Sequence, residues 1–348
     1  MSPSRLSNKP RVVSLGAPRF AGAEYLEAFS KDFDFEVLDA ANRQETHKKL
    51  PELISRGGPV DGFIIRVGTP PYEPFDEVLL KALVPDCRII ASASAGYNEF
   101  DVDWMTKSNI IFCNSVDAVA VATADMAMFL ILAVLRNTSN AERIAKSGKW
   151  RGEPGVLIPT RDPTNLTLGI VGMGAIGKYL ARKAAVFNMK IRYYNRHQLP
   201  NEVEKKYNAT YCSSLHELLS SSDVVSLNCP LNEKTTGLIS TQEFAAMKDG
   251  SFLVNTARGA VIDEEAFKAA LKSGKVARAG LDVLVNEPNV DPWFLEQDNV
   301  IVQPHLGGLT DVAFQKAERE CFENIRAYFE TGKANSPVNG DKLAKSRI

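Results

Sequence analysis

The sequence predicts an α/β protein built from two doubly wound domains. Short apolar runs alternate with longer amphipathic segments along most of the chain, and a second series of this kind begins after residue 165. The length of 348 residues also suits about two domains, at roughly 150 residues per domain. We therefore expect two mainly parallel sheets with helices packed on both faces.

Five apolar runs in the first third of the chain are predicted to be strands, and amphipathic segments such as Tyr25–Ser30 and Asp76–Leu83 separate them as helices. The predicted strands are Arg11–Gly16, Phe35–Leu38, Gly62–Val67, Arg88–Ser92 and Ile110–Cys113.

A helix of about Ala122–Leu135 follows, apolar on most faces and therefore expected to be buried. Its longest unbroken apolar run, Met126–Leu135, is too short to span a bilayer. The polar, Gly- and Pro-containing segment Ser147–Asn165 is predicted to be an extended loop.

The second series also alternates strands with helices. The predicted strands are Leu168–Val171, Lys190–Tyr194, Asp223–Leu227, Ser251–Asn255, Ala277–Asp282 and Val300–Val302. The predicted helices are one that ends near Asn188, then Ser214–Ser220, Thr241–Met247, Asp263–Ser273 and Asp311–Glu330.

Composition excludes several classes of protein. The 41 basic and 42 acidic residues nearly cancel, which argues against a nucleic-acid partner bound through net charge. Five scattered cysteines and four histidines give no disulfide scaffold and no metal-ligand spacing, so no metal is expected. The polar start of the chain has no apolar signal core. We expect a reduced, soluble protein in the cytoplasm, without a membrane partner.

A glycine-rich turn marks the start of the second series. The segment Gly172-Met173-Gly174-Ala175-Ile176-Gly177 matches G-x-G-x-x-G directly after a predicted strand and before a predicted helix. Gly172 permits the tight turn, Gly174 allows a pyrophosphate to approach the backbone, and Gly177 allows close packing of helix on strand. The helix N-terminus then offers unpaired N–H groups to the phosphates. This context predicts dinucleotide binding.

The residues after the next predicted strand favour one cofactor. An acidic residue there would bind the ribose 2′-hydroxyl of NAD, but this sequence has Asn195 followed by Arg196. A neutral amide beside a guanidinium suits a 2′-phosphate. We therefore predict a preference for NADP(H), with NAD(H) as the alternative if Arg196 is only a solvated surface charge.

Three residues shortly after predicted strands carry candidate chemistry. Reduction of a 2-oxo acid needs a cation for the carboxylate, which Arg258 supplies, and an acid for the developing alkoxide, which His305 supplies. Glu287 would orient the imidazole and favour its protonated form. Each residue alone is more often a salt-bridge, turn or loop residue, so the prediction depends on all three lying at one sheet edge.

Together these segments resemble the D-isomer-specific 2-hydroxyacid dehydrogenases, in particular the fungal glyoxylate/hydroxypyruvate reductases and the D-mandelate dehydrogenase-like members. The motifs that carry the resemblance are Gly172–Gly177, Val254–Gly259, Gly280–Val283 with Glu287-Pro288, and Pro304-His305 with Gly307-Gly308. The resemblance implies that Arg258, Glu287 and His305 are the catalytic set.

The resemblance also implies further binding residues. Asp282 would hold the nicotinamide carboxamide, and Thr123 would contact the nicotinamide end. Arg66, Val67, Ala95, Gly96 and Tyr97 would bind the substrate together with Arg258 and His305. The other implied cofactor-binding residues are Cys229, Pro230, Thr235, Thr256, Ala257 and Gly307, with Arg258 and His305 also contacting the cofactor.

The resemblance implies a discontinuous flavodoxin-like substrate-binding domain, residues 1–116 with 317–348, into which a Rossmann NAD(P)-binding domain, residues 117–316, is inserted. It further implies a homodimer, with residues 136–159 as the embracing arm. The terminal Ser346-Arg347-Ile348 is only a weak match to a peroxisomal address.

The expected activity is NADPH-dependent reduction of glyoxylate or hydroxypyruvate to the D-2-hydroxy acid. Aromatic 2-oxo acids such as phenylpyruvate and benzoylformate are the alternative substrates. A second alternative is a dinucleotide-sensing binding protein, similar to the transcriptional corepressor branch of the same family.

Overall fold

In a computed structural model, the described parts of the chain are residues 9–153 and 160–346. Residues 154–159 of the implied dimer arm lie outside the described residues, and so do Arg347 and Ile348 of the terminal tripeptide. Twelve strands are described: β1 (Arg11–Leu15), β2 (Asp34–Leu38), β3 (Gly62–Ile65), β4 (Ile89–Ser92), β5 (Ile111–Asn114), β6 (Thr167–Val171), β7 (Lys190–Tyr194), β8 (Ala209–Tyr211), β9 (Val224–Leu227), β10 (Ser251–Asn255), β11 (Val276–Leu281) and β12 (Val300–Val302).

Fourteen α-helices lie among the described residues, with 3₁₀ segments at Pro70–Tyr72, Lys81–Leu83 and Gly259–Val261. The helices are α1 (Ala23–Asp32), α2 (Arg43–Gly57), α3 (Glu77–Leu80), α4 (Val102–Lys107), α5 (Val116–Arg136), α6 (Thr138–Lys146), α7 (Ala175–Val186), α8 (Asn201–Tyr207), α9 (Leu215–Ser221), α10 (Thr241–Ala246), α11 (Glu264–Lys272), α12 (Pro292–Leu295), α13 (Asp311–Thr331) and α14 (Gly340–Ser346).

The chain divides into two compact units. The first is formed by the chain up to Val119 and from Leu309 onward, and the second is Ala120–Gly308. Each unit holds one sheet whose strand pairs are all parallel, which confirms the predicted α/β class.

The first unit has the strand order β2-β1-β3-β4-β5, a doubly wound sheet of flavodoxin-like topology. Successive residues of each strand pack on opposite faces: Val13 and Phe63 lie in one apolar cluster, and Val12 and Ile64 lie in another. The order reverses between β1 and β3. Loops at the carboxyl ends of these two strands therefore flank the place where such sheets bind ligands.

The second unit has the strand order β12-β11-β10-β9-β6-β7-β8, which is the Rossmann order extended by one strand. Leu168 and Ile170 of β6 pack on one face of this sheet, and Val171 packs on the other. The order reverses between β6 and β9. The predicted dinucleotide turn follows β6 and therefore lies at this point of reversal.

Helix α5 is long and apolar enough over Asp117–Arg136 to cross a membrane, yet 61% of its most apolar stretch is buried inside the protein. Ala124, Leu130 and Val134 are fully buried in the core of the second unit. This share of burial is typical of a core helix, as the apolar composition predicted.

Several elements escaped the sequence analysis, most of them short: α2, α4, α6, α8, α14 and β8. Helix α2 is polar overall and contains Pro51, so it lacks a strong amphipathic signal; it begins after Asn42, whose side chain accepts the N–H of Glu45 at 3.0 Å. The predicted helix Asp76–Leu83 is only one α turn, α3, followed by a 3₁₀ turn. The predicted strand Gly62–Val67 ends at Ile65.

Candidate active site

The glycine-rich turn directly follows β6 and makes close backbone contacts. Gly172 has a positive φ of 96°, and a Cβ atom there would lie 2.9 Å from the backbone of Asn228 and Cys229. A Cβ at Gly177 would lie 2.6 Å from the carbonyl oxygen of Gly172. Both positions therefore need glycine, for the two reasons that the motif predicts.

Helix α7 begins at Ala175 immediately after this turn, and its N-cap residue Gly174 provides no side-chain cap. The first N–H groups of the helix therefore have no partner within the helix, and they carry its positive end. A Cβ at Gly174 would meet no atom within 4 Å, so the space in front of the helix is open. An open, uncapped helix N-terminus of this kind fits a pyrophosphate.

Two buried polar atoms near this turn lack partners among the described residues. They are Oδ1 of Asn228, one residue after β9, and Oγ1 of Thr256, one residue after β10. Buried polar atoms are normally hydrogen-bonded, so these two indicate a polar ligand at the carboxyl ends of the strands. The open helix terminus and the two unpaired oxygens together fit a bound dinucleotide.

Asn195 joins the glycine-rich turn to the loop after β7. Its Oδ1 atom accepts the N–H of Met173 at 2.7 Å, and the carbonyl of Tyr194 accepts the N–H of Gly172 at 3.0 Å. Met173 is buried and Ile176 is partly buried against the core, so their side chains support the turn. Arg196 is exposed, with no hydrogen bond or ion pair recorded within the described chain.

Asp282 holds the loop that carries the predicted histidine. Its two carboxylate oxygens accept the N–H groups of Leu306 and Gly307 at 2.8 Å each, and its carbonyl accepts the N–H of His305 at 2.8 Å. A Cβ at Gly307 would lie 2.6 Å from Asp282 Oδ2 and 3.5 Å from Thr123 Cγ2. The structure thus brings together Asp282, Gly307 and Thr123, which the sequence placed far apart.

His305 and Glu287 form the central pair of the site. The Nδ1 atom of His305 lies 2.7 Å from Oε2 of Glu287, while Oε1 of Glu287 accepts the N–H of Leu284 at 2.8 Å. His305 has a left-handed φ of 56°, uncommon for a side-chain-bearing residue, which marks a position held by its surroundings. The carboxylate is fixed at both oxygens and in turn fixes the ring.

The pKa values of the two acids move in opposite directions. Burial acts to raise the pKa of Glu287, but the hydrogen bonds from His305 and Leu284 and the charges of His305 and Arg258 outweigh it, so this pKa lies below its usual value. Burial dominates at Asp282 and raises its pKa, although two backbone N–H groups oppose the shift. Glu287 is therefore ionised near neutral pH and faces Nδ1 of His305 with a negative charge.

Arg258 follows β10 on a loop that Asn255 holds in shape. The side chain of Asn255 accepts the N–H of Ala257 at 3.0 Å and donates to the carbonyl of Arg258 at 2.9 Å. A side chain at Gly259 would overlap the backbone of Leu284, so the loops of Arg258 and Glu287 pack directly on each other. This packing places the guanidinium near enough to contribute to the lowered pKa of Glu287.

Cys229 and Pro230 follow β9 on the loop that contacts Gly172. Burial raises the pKa of the Cys229 thiol to about 11, so the thiol stays protonated and is no nucleophile near neutral pH. Thr235 donates its hydroxyl to the carbonyl of Pro230 at 2.6 Å and accepts the N–H of Asn232 at 2.8 Å. These three predicted cofactor residues therefore share one loop. Among the described residues, no cluster of metal-ligating side chains occurs.

The predicted substrate residues Arg66, Val67 and Ala95–Tyr97 lie in the first unit, after β3 and β4. Arg66 donates Nη1 to the carbonyl of Val67 at 2.7 Å, and a side chain at Gly16 would overlap its guanidinium. Its buried Nε atom has no partner among the described residues. Asn114 donates to the carbonyl of Ala95 at 2.6 Å and steadies that loop.

Sequence reasoning missed the residues that hold the functional groups in place. The sequence analysis places Asn255 and Tyr193 in strands without a functional role, and it does not single out Asn228. Asn228 and Asn255 are polar residues at the carboxyl ends of buried strands, and that position is the signal that could have found them. Tyr193 donates its hydroxyl to Glu204 and accepts the N–H of Leu199, and an apolar-looking strand position gives no sequence signal for these two bonds.

Comparisons with known proteins show the family of this chain. The profile described as "D-isomer specific 2-hydroxyacid dehydrogenase, NAD binding domain" matches residues 128–307. The protein named dehydrogenase efuE from Hormonema carpetanum is 57% identical over 345 residues, which cover 99% of this chain and 86% of that protein.

Two solved structures share the architecture of the chain. A glyoxylate reductase from Paecilomyes thermophila is 37% identical with a TM-score of 0.87, over 96% of this chain and 100% of that one. The holo form of Rhodotorula graminis D-mandelate dehydrogenase is 34% identical with a TM-score of 0.87, over 95% and 97% of the two chains.

Proposed function

The chain belongs to the D-isomer-specific 2-hydroxyacid dehydrogenase family, and we propose on that basis that it reduces small 2-oxo acids to D-2-hydroxy acids with NADPH. Membership makes it an NAD(P)-dependent oxidoreductase.

The hydrogen bond between His305 and Glu287 is the observation that carries the proposed chemistry. The ionised carboxylate of Glu287 binds Nδ1 of His305. The imidazole can then hold a second proton on Nε2 and give it to the substrate oxygen as the alcohol forms. Arg258 binds the substrate carboxylate through its fork of N–H groups. The nicotinamide cofactor, when bound, supplies the hydride to C2, and His305 accepts the proton in the reverse direction.

The cofactor site is assigned to the second unit, and Asn195 and Arg196 support NADPH as the preferred form. Asn195 brings no negative charge to the loop, and the exposed Arg196 is available to a 2′-phosphate. Gly172–Gly177 would hold the pyrophosphate, Thr256 and Asn228 offer polar atoms to it or to the ribose, and Asp282 with Thr123 would take the nicotinamide end. NADH remains the alternative cofactor.

Glyoxylate and hydroxypyruvate are the proposed substrates, supported by the similarity to a protein named glyoxylate reductase. Arg66, Val67 and Ala95–Tyr97 are the proposed substrate-binding residues of the first unit. Aromatic 2-oxo acids are the second candidate, favoured by the equal TM-score of a structure named D-mandelate dehydrogenase. A homodimer is also proposed, because helix α6 in the suggested arm has no buried residue in the single chain.

Steady-state assays with NADPH and NADH against glyoxylate, hydroxypyruvate, phenylpyruvate and benzoylformate test the proposal. We expect turnover with NADPH and the highest kcat/KM for a small aliphatic 2-oxo acid. A higher kcat/KM for benzoylformate would move the assignment to the aromatic alternative. Absence of turnover with all four, in a protein that still binds NADPH, would favour a dinucleotide-sensing binding protein.

A further inference from the structure

The five residues after β7, Asn195–Leu199, form a loop that is anchored at both of its ends; we name it the β7 loop. Asn195 is fixed twice: its side chain accepts the N–H of Met173 at 2.7 Å, and its carbonyl accepts the hydroxyl of Tyr211 at 3.3 Å. The first bond ties the loop to the glycine-rich turn, and the second ties it to the end of β8.

The other end of the β7 loop is anchored by Tyr193. Its hydroxyl oxygen accepts the N–H of Leu199 at 2.9 Å and donates to Oε1 of Glu204 at 2.6 Å. The side chain is fully buried, and burial together with the bond to Glu204 raises the pKa of this phenol to about 12. The hydroxyl therefore keeps its proton and serves both partners at once.

The carboxylate of Glu204 on α8 is engaged by residues at both ends of this network. Besides the bond from Tyr193, it accepts Nε2 of Gln198 at 3.0 and 3.2 Å. Arg196 and His197 are exposed, and the described chain provides no ion pair for either. The network thus holds the loop in shape, while the charge of the exposed Arg196 is not engaged by an ion pair within the described chain.

We propose that Tyr193 and Tyr211 are positioning residues for cofactor selection: they hold the β7 loop in the conformation that presents Arg196 to the 2′-phosphate of NADPH. Neither hydroxyl needs to touch the cofactor. The two rings pack at 5.4 Å between centroids, so both anchors belong to one rigid pair. This inference rests on the proposed preference for NADPH, and it adds the residues on which that preference depends.

Dissociation constants of NADPH and NADH, measured by fluorescence titration without substrate, test the inference. Tyr193→Phe and Tyr211→Phe each remove one hydroxyl, and we expect each to weaken NADPH binding about fivefold while NADH binding changes less than about twofold. Tyr207→Phe is the matched control, since the structure gives its hydroxyl on α8 no hydrogen bond within the described chain. It should leave both constants unchanged.

A double variant shows whether the tyrosine acts through Arg196. Arg196→Ala should remove the preference for NADPH, and adding Tyr193→Phe to it should cause little further loss of NADPH binding. Equal weakening of both cofactors, no weakening of either, or additive losses in the double variant would each overturn the inference. Thermal melting identifies a variant that has lost its fold, and Tyr211→Phe, at a partly buried position, then carries the test.

Failure of the proposed function has a different signature. If the unaltered protein binds NADH as tightly as it binds NADPH, the cofactor assignment is wrong and the inference is overturned with it. If the unaltered protein prefers NADPH and the two tyrosine variants keep that preference, only the inference is wrong.

Discussion

Nδ1 of His305 lies 2.7 Å from Oε2 of Glu287, in a histidine whose backbone has a positive φ of 56°. The carboxylate is therefore hydrogen-bonded to one ring nitrogen, while Nε2 has no hydrogen-bond partner among the described residues. Because Asp282 accepts the three N–H groups of residues 305–307, the ring is held from both its side chain and its backbone.

Replacing His305 by Asn should separate chemistry from folding. Asn tolerates positive φ better than most residues, so the loop keeps its shape while the proton donor is lost. We expect kcat for 2-oxo acid reduction to fall about 100- to 10,000-fold, with a much smaller change in the dissociation constant of NADPH. Steady-state kinetics and fluorescence titration check both parts, and near-normal kcat would show that another group provides the proton.

Replacing Glu287 by Gln should impair the same step while keeping the shape of the side chain. A neutral amide cannot stabilise the imidazolium and can hold the ring in the wrong tautomer, so kcat should fall by roughly 100-fold or more. Glu287→Asp is the companion variant: it keeps the charge and should retain more activity than Gln. The reverse order would indicate that the carboxylate only fills space.

The same pair makes a pH-dependent contribution to stability. The pKa of Glu287 is lowered in the folded protein, so its ionised form stabilises the fold above the unfolded pKa, and this contribution is lost as pH falls through the lower, folded value. Denaturant unfolding of the unaltered protein and Glu287→Gln should differ most at neutral pH and converge below pH 4.5, the usual value for this group. A constant difference across this range would contradict the pairing.

Two glycines of the same motif should respond differently to alanine. Gly174→Ala places its Cβ in open space, so melting should be unchanged while affinity for NADPH falls, because the pyrophosphate is expected there. Gly172→Ala meets a φ of 96° and backbone at 2.9 Å, so its melting temperature should fall. Unimpaired NADPH binding by Gly174→Ala would place the pyrophosphate elsewhere.

Arg66 should contribute to binding the substrate and leave cofactor binding unaffected. Among the described residues no acid pairs with its guanidinium, and its buried Nε has no partner, so a substrate carboxylate is its expected counter-ion. Arg66→Met should raise KM for 2-oxo acids about 10- to 100-fold. Arg66→Lys is the control that keeps the charge and should be affected less. An unchanged KM in the Met variant would remove Arg66 from the substrate site.

Local sequence determined much of this protein. The parallel sheets, the glycine-rich turn and the positions of Arg258, Glu287 and His305 after strands could all be predicted, because periodicity, glycine spacing and post-strand position are local properties of the chain. Elements without such a pattern escaped prediction. The polar helix α2 and the three-residue strand β8 are stabilised by their packing and pairing partners and carry little signal of their own.

Only the tertiary structure decided how the functional groups are held. The carboxylate of Asp282 accepts the N–H groups of a loop more than 20 residues away, and the buried hydroxyl of Tyr193 is hydrogen-bonded to both Leu199 and Glu204. The bonds of Asp282 depend on a distance between two segments that only the folded sheet brings together, and those of Tyr193 depend on how the chain turns after β7. The sequence therefore identified which residues carry the chemistry, while the fold decided which other residues fix their positions.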